Sequence, residues 1–349
     1  MNIVKKIYTK GVLAILDFGA ESVVVLIAEK KEKGAFQIVG AGDAVSHGIS
    51  GGEVTNPGDA TESISEALKK AERSSGTHAE KLYYNIDDIE MESVISRGSR
   101  FLSGEGEIQA ADIEEAGKVA ERLVGNFEKS ILYFKNIQFI IDDRDIVVNP
   151  IGIFGKKLEV FVHVLQARSS QCESWQNLMR RSQISRSTAV PSAWSTAYGL
   201  LPKDDRVMKR LILDLGRDVS NVFIFENQSI TGYKAKPGFG DNFSRAAESI
   251  AEAVKELLFS NPDIQEILIT GELAQNSEIT ESLRLSFKIP ARVAAPLGIA
   301  KLNYPKYASA VGLLYVADEI ESKMPMLLAE KSIFLNVREK AAAFINEYF

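Results

Sequence analysis

The chain has 349 residues and a net charge of −6, from 41 Lys and Arg against 47 Asp and Glu. The length suggests about two domains, and the acidic balance argues against a nucleic-acid partner, whose phosphates need clustered cations. Its single cysteine, Cys172, excludes an intrachain disulfide and points to a reducing cytoplasm, and His47, His78 and His163 lie too far apart to suggest a zinc site.

In chain order, the first signal is a hairpin. Leu13–Gly19 reads as a buried strand ending in an Asp17-Phe18-Gly19 turn, and Val23–Ile27 as the returning strand. Neither run is a signal-peptide core, although Lys5 and Lys6 precede them, and no segment has the apolar length of a membrane span. Gln37–Ala41 predicts a third strand, and Gly48–Val54 a glycine-rich crossing loop. Ile64, Ala67, Leu68 and Ala71 fall at helical spacing, which predicts a helix over Asp59–Ser74, capped by Asp59 or Thr61 and ended by Gly76.

From about Leu82 to Leu165 the pattern changes. Asp112–Val124 reads as an amphipathic helix with Ile113, Ala116, Val119, Ala120 and Leu123 on one face. Asn136–Ile141 and Leu158–Leu165 read as strands. The second alternates, giving His163 a structural or solvent-facing place. Asp142–Asp145 reads as a solvated loop, and Arg180, Arg181 and Arg186 as surface. Helices follow at Glu173–Ser182 and from Pro191, where Ser192 and Ser195 have no nearby His or buried acid to activate them. Lys203–Arg206 is an exposed connection.

At Leu211–Gly216 the opening pattern returns: a buried strand, an Asp214-Leu215-Gly216 turn, then Asn221–Phe225. The copies are too far apart for a solenoid repeat, so two related lobes are expected. The second lobe continues with a helix over Asn242–Phe259, the strand Ile267–Thr270 followed by Gly271, a helix near Glu278–Leu285 and a small-residue helix over Tyr307–Glu319. Glu321–Lys331 reads as a linker and Ser332–Phe349 as a terminal helix. There Ile333, Phe334, Val337, Ala341, Phe344, Ile345 and Tyr348 share one face, as a surface-lying helix requires. Arg338 and Lys340 are offset by Glu339 and Glu347, which gives no basic pull toward anionic lipid. Membrane and protein packing stay open for this face.

An Asp-x-Gly hairpin turn aims backbone N–H groups outward, where they can hold phosphate oxygens, and its Asp can reach a metal ion through water. Two such turns on two lobes would place a nucleotide between them, with Gly271 on the adenine side. In this pattern the sequence resembles FtsA, the bacterial cell-division member of the actin/Hsp70-type ATPases. The likeness runs from about Leu13 to Ala317. It includes the Gly48–Val54 loop with its following helix, the Asn149–Val160 stretch, similar to Pro-x-Gly-x-x-Gly-x-x-Leu, and the Tyr307–Tyr315 helix.

The resemblance implies an α/β fold: two actin-like (ribonuclease H-like) lobes, an inserted α+β subdomain of the FtsA 1C type and a C-terminal amphipathic helix. Its parts would be 1–83 with 166–203 (first lobe, 1A), 84–165 (insert), 204–320 (second lobe, 2A) and 321–349 (linker and helix). Between Gly240 and Ile267 there is room for one helix, where FtsA also carries subdomain 2B. The absence of 2B puts direct FtsZ binding in doubt. The implied ATP and magnesium site comprises Asp17, Gly19, Ala20, Ser22, Asp214, Gly216, Arg217, Gly240 and Gly271. It departs from the family pattern throughout. Ala20 replaces a threonine, Glu21 adds charge, Ser22 stands where lysine is common, and Arg217 and Asp218 replace glycines that let phosphate approach. Ala246 stands where the family often has an acid. Turnover, binding without turnover, and an empty cleft between core strands all stay open. The implied function is a membrane-associated division scaffold with weak or no ATPase activity, cytoplasmic or peripheral on the inner membrane face. Its partners would be proteins of a division or membrane assembly, with self-association open and no nucleic acid. The alternatives are a PilM-like adaptor, as in type IV pili, or an active actin-like ATPase.

Overall fold

The computed structural model describes residues 12–322, apart from 32, 33, 80, 241, 242 and 288. The expected terminal helix lies outside the described residues.

The first sheet opens with β1 (Val12–Phe18) and β2 (Ser22–Lys30), antiparallel across the Gly19 turn with Asp17 opposite Val24. β3 (Phe36–Val45) extends the pairing from β2. The crossing loop is itself a small hairpin of β4 (Ile49–Ser50) and β5 (Glu53–Val54). Helix α1 (Pro57–Ser75) follows, and its cap differs from expectation. Asn56, not Asp59 or Thr61, accepts from the Gly58 and Asp59 amides. Pro57 sits in the first turn, where its missing N–H breaks no helical bond. β6 (Lys81–Ile86) then runs parallel to β1.

The inserted block comprises β7 (Glu92–Glu107), α2 (Ala110–Val124), β8 (Lys129–Ile141), β9 (Asp145–Val147) and β10 (Phe154–Arg168). Its antiparallel sheet has the order β7-β10-β8-β9. Ala116, Gly117 and Ala120 are the buried residues of α2. Leu123, expected on the apolar face, is 69% exposed, because small residues make the close contact and Leu123 falls beyond it. On β10, Leu158, Val160, Val162 and Val164 join the α2-side core. The opposite face is not solvated: Glu159, His163 and Leu165 are also buried. That face turns to the second lobe, where the Ile230 amide donates to the Tyr133 hydroxyl (3.0 Å). His163 Nε2 lies 2.7 Å from Ser93 Oγ, and burial lowers the imidazole pKa to about 4, so it is neutral at pH 7. Tyr133→Phe strands a buried amide and is expected to cost about 1–3 kcal/mol. Denaturant melts of both proteins measure it; identical midpoints would show that this bond contributes nothing.

The chain returns through α3 (Ser169–Arg181) to β11 (Arg186–Pro191), parallel to β6, and then α4 (Ser192–Leu200). The second sheet contains β12 (Arg210–Asp214), β13 (Val219–Glu226) and β14 (Ser229–Pro237). After α5 (Phe243–Ser260) come β15 (Ile267–Thr270), α6 (Ser277–Ser286) and β16 (Ala291–Val293). Its order, β14-β13-β12-β15-β16, matches the first sheet, β3-β2-β1-β6-β11, strand for strand. Among the described residues, α5 is the one helix between Gly240 and β15.

A last helix, α7 (308–322), runs through the start of the expected linker. It crosses α4 at very short range. A Cβ on Gly312 would lie 1.6 Å from the Ser195 carbonyl oxygen, and one on Gly199 2.1 Å from that of Ala308. Its final turns are tied to the first lobe by Lys30–Asp318 (2.6 Å), Tyr198 to Glu319 (2.5 Å), and Lys81 and Tyr83 to Glu321 (2.7 and 2.6 Å).

Candidate functional site between the lobes

β1 carries Asp17 one residue before its end and β12 ends in Asp214, both at the mouth of the interlobe crevice, where ligands of open α/β sheets gather at strand C-termini. The turns after them face each other. Asp17, Gly19, Ala20, Ser22, Asp214, Gly216, Arg217 and Gly271 line one cleft of about 160 Å³. Gly240 supports it from outside, its amide donating to the Arg217 carbonyl (2.8 Å). Gly271 (φ 95°) is required where it stands: a Cβ would lie 2.5 Å from Asp214 Oδ1.

Each strand-end aspartate is held by neutral donors. Asn85 Nδ2 and Ser309 Oγ donate to Asp17 (both 2.8 Å), and Thr196 Oγ1 donates to Asp214 Oδ2 (2.6 Å). A third carboxylate, Asp87, just past β6, is new relative to the sequence reading. Ser192 Oγ donates to its Oδ2 (2.7 Å) and Asn221 Nδ2 to its Oδ1 (2.9 Å), while Tyr233 donates to Asn221 Oδ1 (2.7 Å). Ser192 therefore does have an acid beside it, contrary to expectation, because β6 and α4 meet only in the fold. The available signal was a polar residue, Asn85, inside the otherwise apolar β6.

Desolvation raises the Asp17 carboxyl and pushes Asp87 to about 6 and Asp214 to about 7, with smaller contributions from repulsion by Asp17 and Asp88 at Asp87 and by Asp87 and Asp17 at Asp214. The stability linked to these raised values is present below the unfolded carboxylate pKa, near 4, and is lost as pH rises through about 6 to 7. The melting temperature relative to Asp214→Asn should thus fall for the natural chain between pH 5 and pH 8. A constant difference across that range would refute the assignment.

The residues in place of the family's glycines reach across the cleft. Arg217 pairs with Glu21 of the first lobe, and the Gly51 amide donates to Asp218 Oδ2 (2.8 Å). Arg217 Nε also lies 3.9 Å from Glu272. The β4–β5 turn carrying Gly51 is braced from behind. Gln171 and Trp175 donate to the Gly52 carbonyl, and Arg168 holds Glu53 (2.5 Å) and the buried Asp88 (Nη2–Oδ1 2.9 Å).

These residues do not fit a magnesium nucleoside triphosphate. Six carboxyl groups, on Asp17, Glu21, Asp87, Asp214, Asp218 and Glu272, line the cleft against Arg217 and Lys306, and Arg217 is engaged by acids. The Gly19 amide donates within its own turn, to the Ser22 carbonyl (2.9 Å). The volume is well below the roughly 300–1,000 Å³ of small-molecule sites. Among the described residues no His, Cys, Asp and Glu cluster has the arrangement of a metal site, and no helix is long and apolar enough to cross a membrane.

The family model of the SHS2 domain inserted in FtsA matches residues 89–166, the four-stranded insert with its helix. The insert is thus similar to that of FtsA. The chain is 26% identical to the FtsA of Borreliella burgdorferi over 218 residues, covering 62% of this chain and 53% of that protein. It is 23% identical to the FtsA of Neisseria meningitidis across 90% of this chain and 92% of that one. The Pseudomonas aeruginosa FtsA is 25% identical, with 65% and 54% covered. For two of these three relatives, the match spans about half their length. Among solved structures, the PilM–PilN type IV pilus biogenesis complex contains a chain with TM-score 0.59 at 13% identity, covering 87% of this chain and 97% of that one. MreB5 of Spiroplasma citri bound to ADP gives 0.51 at 9%, covering 93% and 99%. These structures establish the actin-like fold of the chain.

Proposed function

We propose that the chain is a scaffold of bacterial cell division that works through protein contacts, with weak or no ATPase activity. The observation that carries this is the FtsA-type insert, set in sequence between the two segments of the first of two actin-like lobes. The parts we assign are 1–83 with 166–203, 84–165 and 204–320, followed by the tail. Among the described residues α5 is the one helix between Gly240 and β15, which supports our reading that subdomain 2B has no counterpart here and that FtsZ is not a direct partner. A tagged full-length chain is expected at division sites, with division proteins co-purifying. An even cellular distribution with pilus-assembly proteins in the pull-down would reject this reading in favour of a PilM-like adaptor.

We assign the face of Ile333, Phe334, Val337, Ala341, Phe344, Ile345 and Tyr348 to the inner surface of the cytoplasmic membrane, on the sequence pattern. Co-sedimentation with anionic vesicles should drop sharply when the chain ends at Glu330; equal binding by both would remove the anchor. The cleft residues named above are assigned to a degenerate nucleotide site, and ATP turnover is expected at background and unaltered by Asp17→Ala.

A further inference from the structure

We infer that the two lobes are locked together by their own side chains across the cleft, so that closure needs no ligand. This rests on the reading that the cleft holds no nucleotide. The observation is where the bridging groups sit. Glu21, Arg217 and Asp218 lie in the two hairpin turns that face each other, and Gly51 lies in a third turn at the same mouth. Each partner comes from the opposite lobe.

The bridges form two layers. The outer one is Glu21–Arg217 and the Gly51 amide to Asp218. The inner one is Asn221 to Asp87 and Thr196 to Asp214, which join second-lobe residues to the segment just past β6 and to α4. A bound nucleotide would join such turns through phosphate oxygens. Here Asp218 supplies the oxygen that the Gly51 amide meets, and Arg217 supplies the cation that Glu21 meets. Gly51 is not a loose donor, because Gln171, Trp175 and Arg168 hold the turn behind it. Glu21 and Arg217 are each about half exposed (57% and 48%). An exposed pair alone contributes little, so the lock depends on the layers acting together, as coupled contacts do.

Amide hydrogen exchange on the full chain tests this, read over residues 49–54 and 214–220, with β8 and β10 as the folding control. Millimolar Mg-ATP should leave exchange unchanged. Glu21→Arg, which sets two cations against each other, should speed it about threefold, the effect of about 0.7 kcal/mol. The charge swap Glu21→Arg with Arg217→Glu should restore the natural rate, and Asp218→Ala should speed the 49–54 segment alone or with 214–220. Unchanged exchange in both Glu21→Arg and Asp218→Ala would overturn the lock, as would slowing of the natural chain by Mg-ATP. A chain missing from division sites but showing this exchange pattern loses only the scaffold role. A chain at division sites without the pattern loses only the lock.

Discussion

Arg168→Met is expected to lower the melting temperature by about 5–10 °C. Asp88 is wholly buried and receives two guanidinium bonds, Nε at 3.1 Å and Nη2 at 2.9 Å. Removing the arginine leaves the Glu90 amide (2.9 Å) and the long Arg168 amide contact (3.3 Å) as donors to a buried charge. Breaking one partner of such a pair costs about 3–5 kcal/mol, and each kcal/mol moves the midpoint of a chain of this size by about 2–4 °C or somewhat less. The same arginine holds Glu53 beside the Gly51–Gly52 turn, so the cleft mouth loosens as well. Replacing both partners, Arg168→Met with Asp88→Leu, should recover most of the loss, since no charge is left unpaired. Scanning calorimetry decides the matter: a single-variant shift below about 2 °C would mean that water reaches Asp88 freely.

Gly312→Val should be the other severe substitution, costing more than about 3 kcal/mol and leaving little folded protein on expression. The Cβ would meet the Ser195 carbonyl oxygen at 1.6 Å and the Gly199 amide nitrogen at 2.5 Å. Both are backbone atoms inside α4, so no side chain can swing away. The two helices would have to separate, and Ser195, Thr196 and Ser309, which order the cleft carboxylates, ride on them. Gly104→Ala is the matched control. Its Cβ enters open space and only φ 75° is strained, a cost of about 1 kcal/mol. Equal soluble yields and melting temperatures for the two variants would contradict the close helix crossing.

What could be read from the sequence was whatever is local. The two Asp-x-Gly hairpins, the strand Ile267–Thr270 and the α1 core positions are set by period and turn chemistry, and they appear where expected. The α1 cap was misplaced because Asp59 and Thr61 are good caps by type, while Pro57 fixes the start one residue after Asn56. His163 could not be placed because one alternating strand has two faces, and only the second lobe decides that both are covered. Glu21, Arg217 and Asp218 were legible as departures from a phosphate loop. That they answer one another across the cleft was not, since their partners come from the other lobe. Asp87 was hidden for the same reason: Ser192 and Asn221, the residues that reveal it, come from α4 and β13.

The last turns of α7 have a mechanical consequence. Asp318, Glu319 and Glu321 fasten to Lys30, Tyr198, Lys81 and Tyr83, which sit on two neighbouring parts of the first sheet and on α4. Tension arriving along the chain at Ser322 is therefore shared among several rivets at once, not concentrated on a single peeling bond. Most of these rivets lead into the first lobe, and the longer Lys135–Glu319 pair (3.8 Å) ties the same turn to β8 of the insert. Whatever the chain beyond Ser322 grips, the first lobe is the part that bears most of the load.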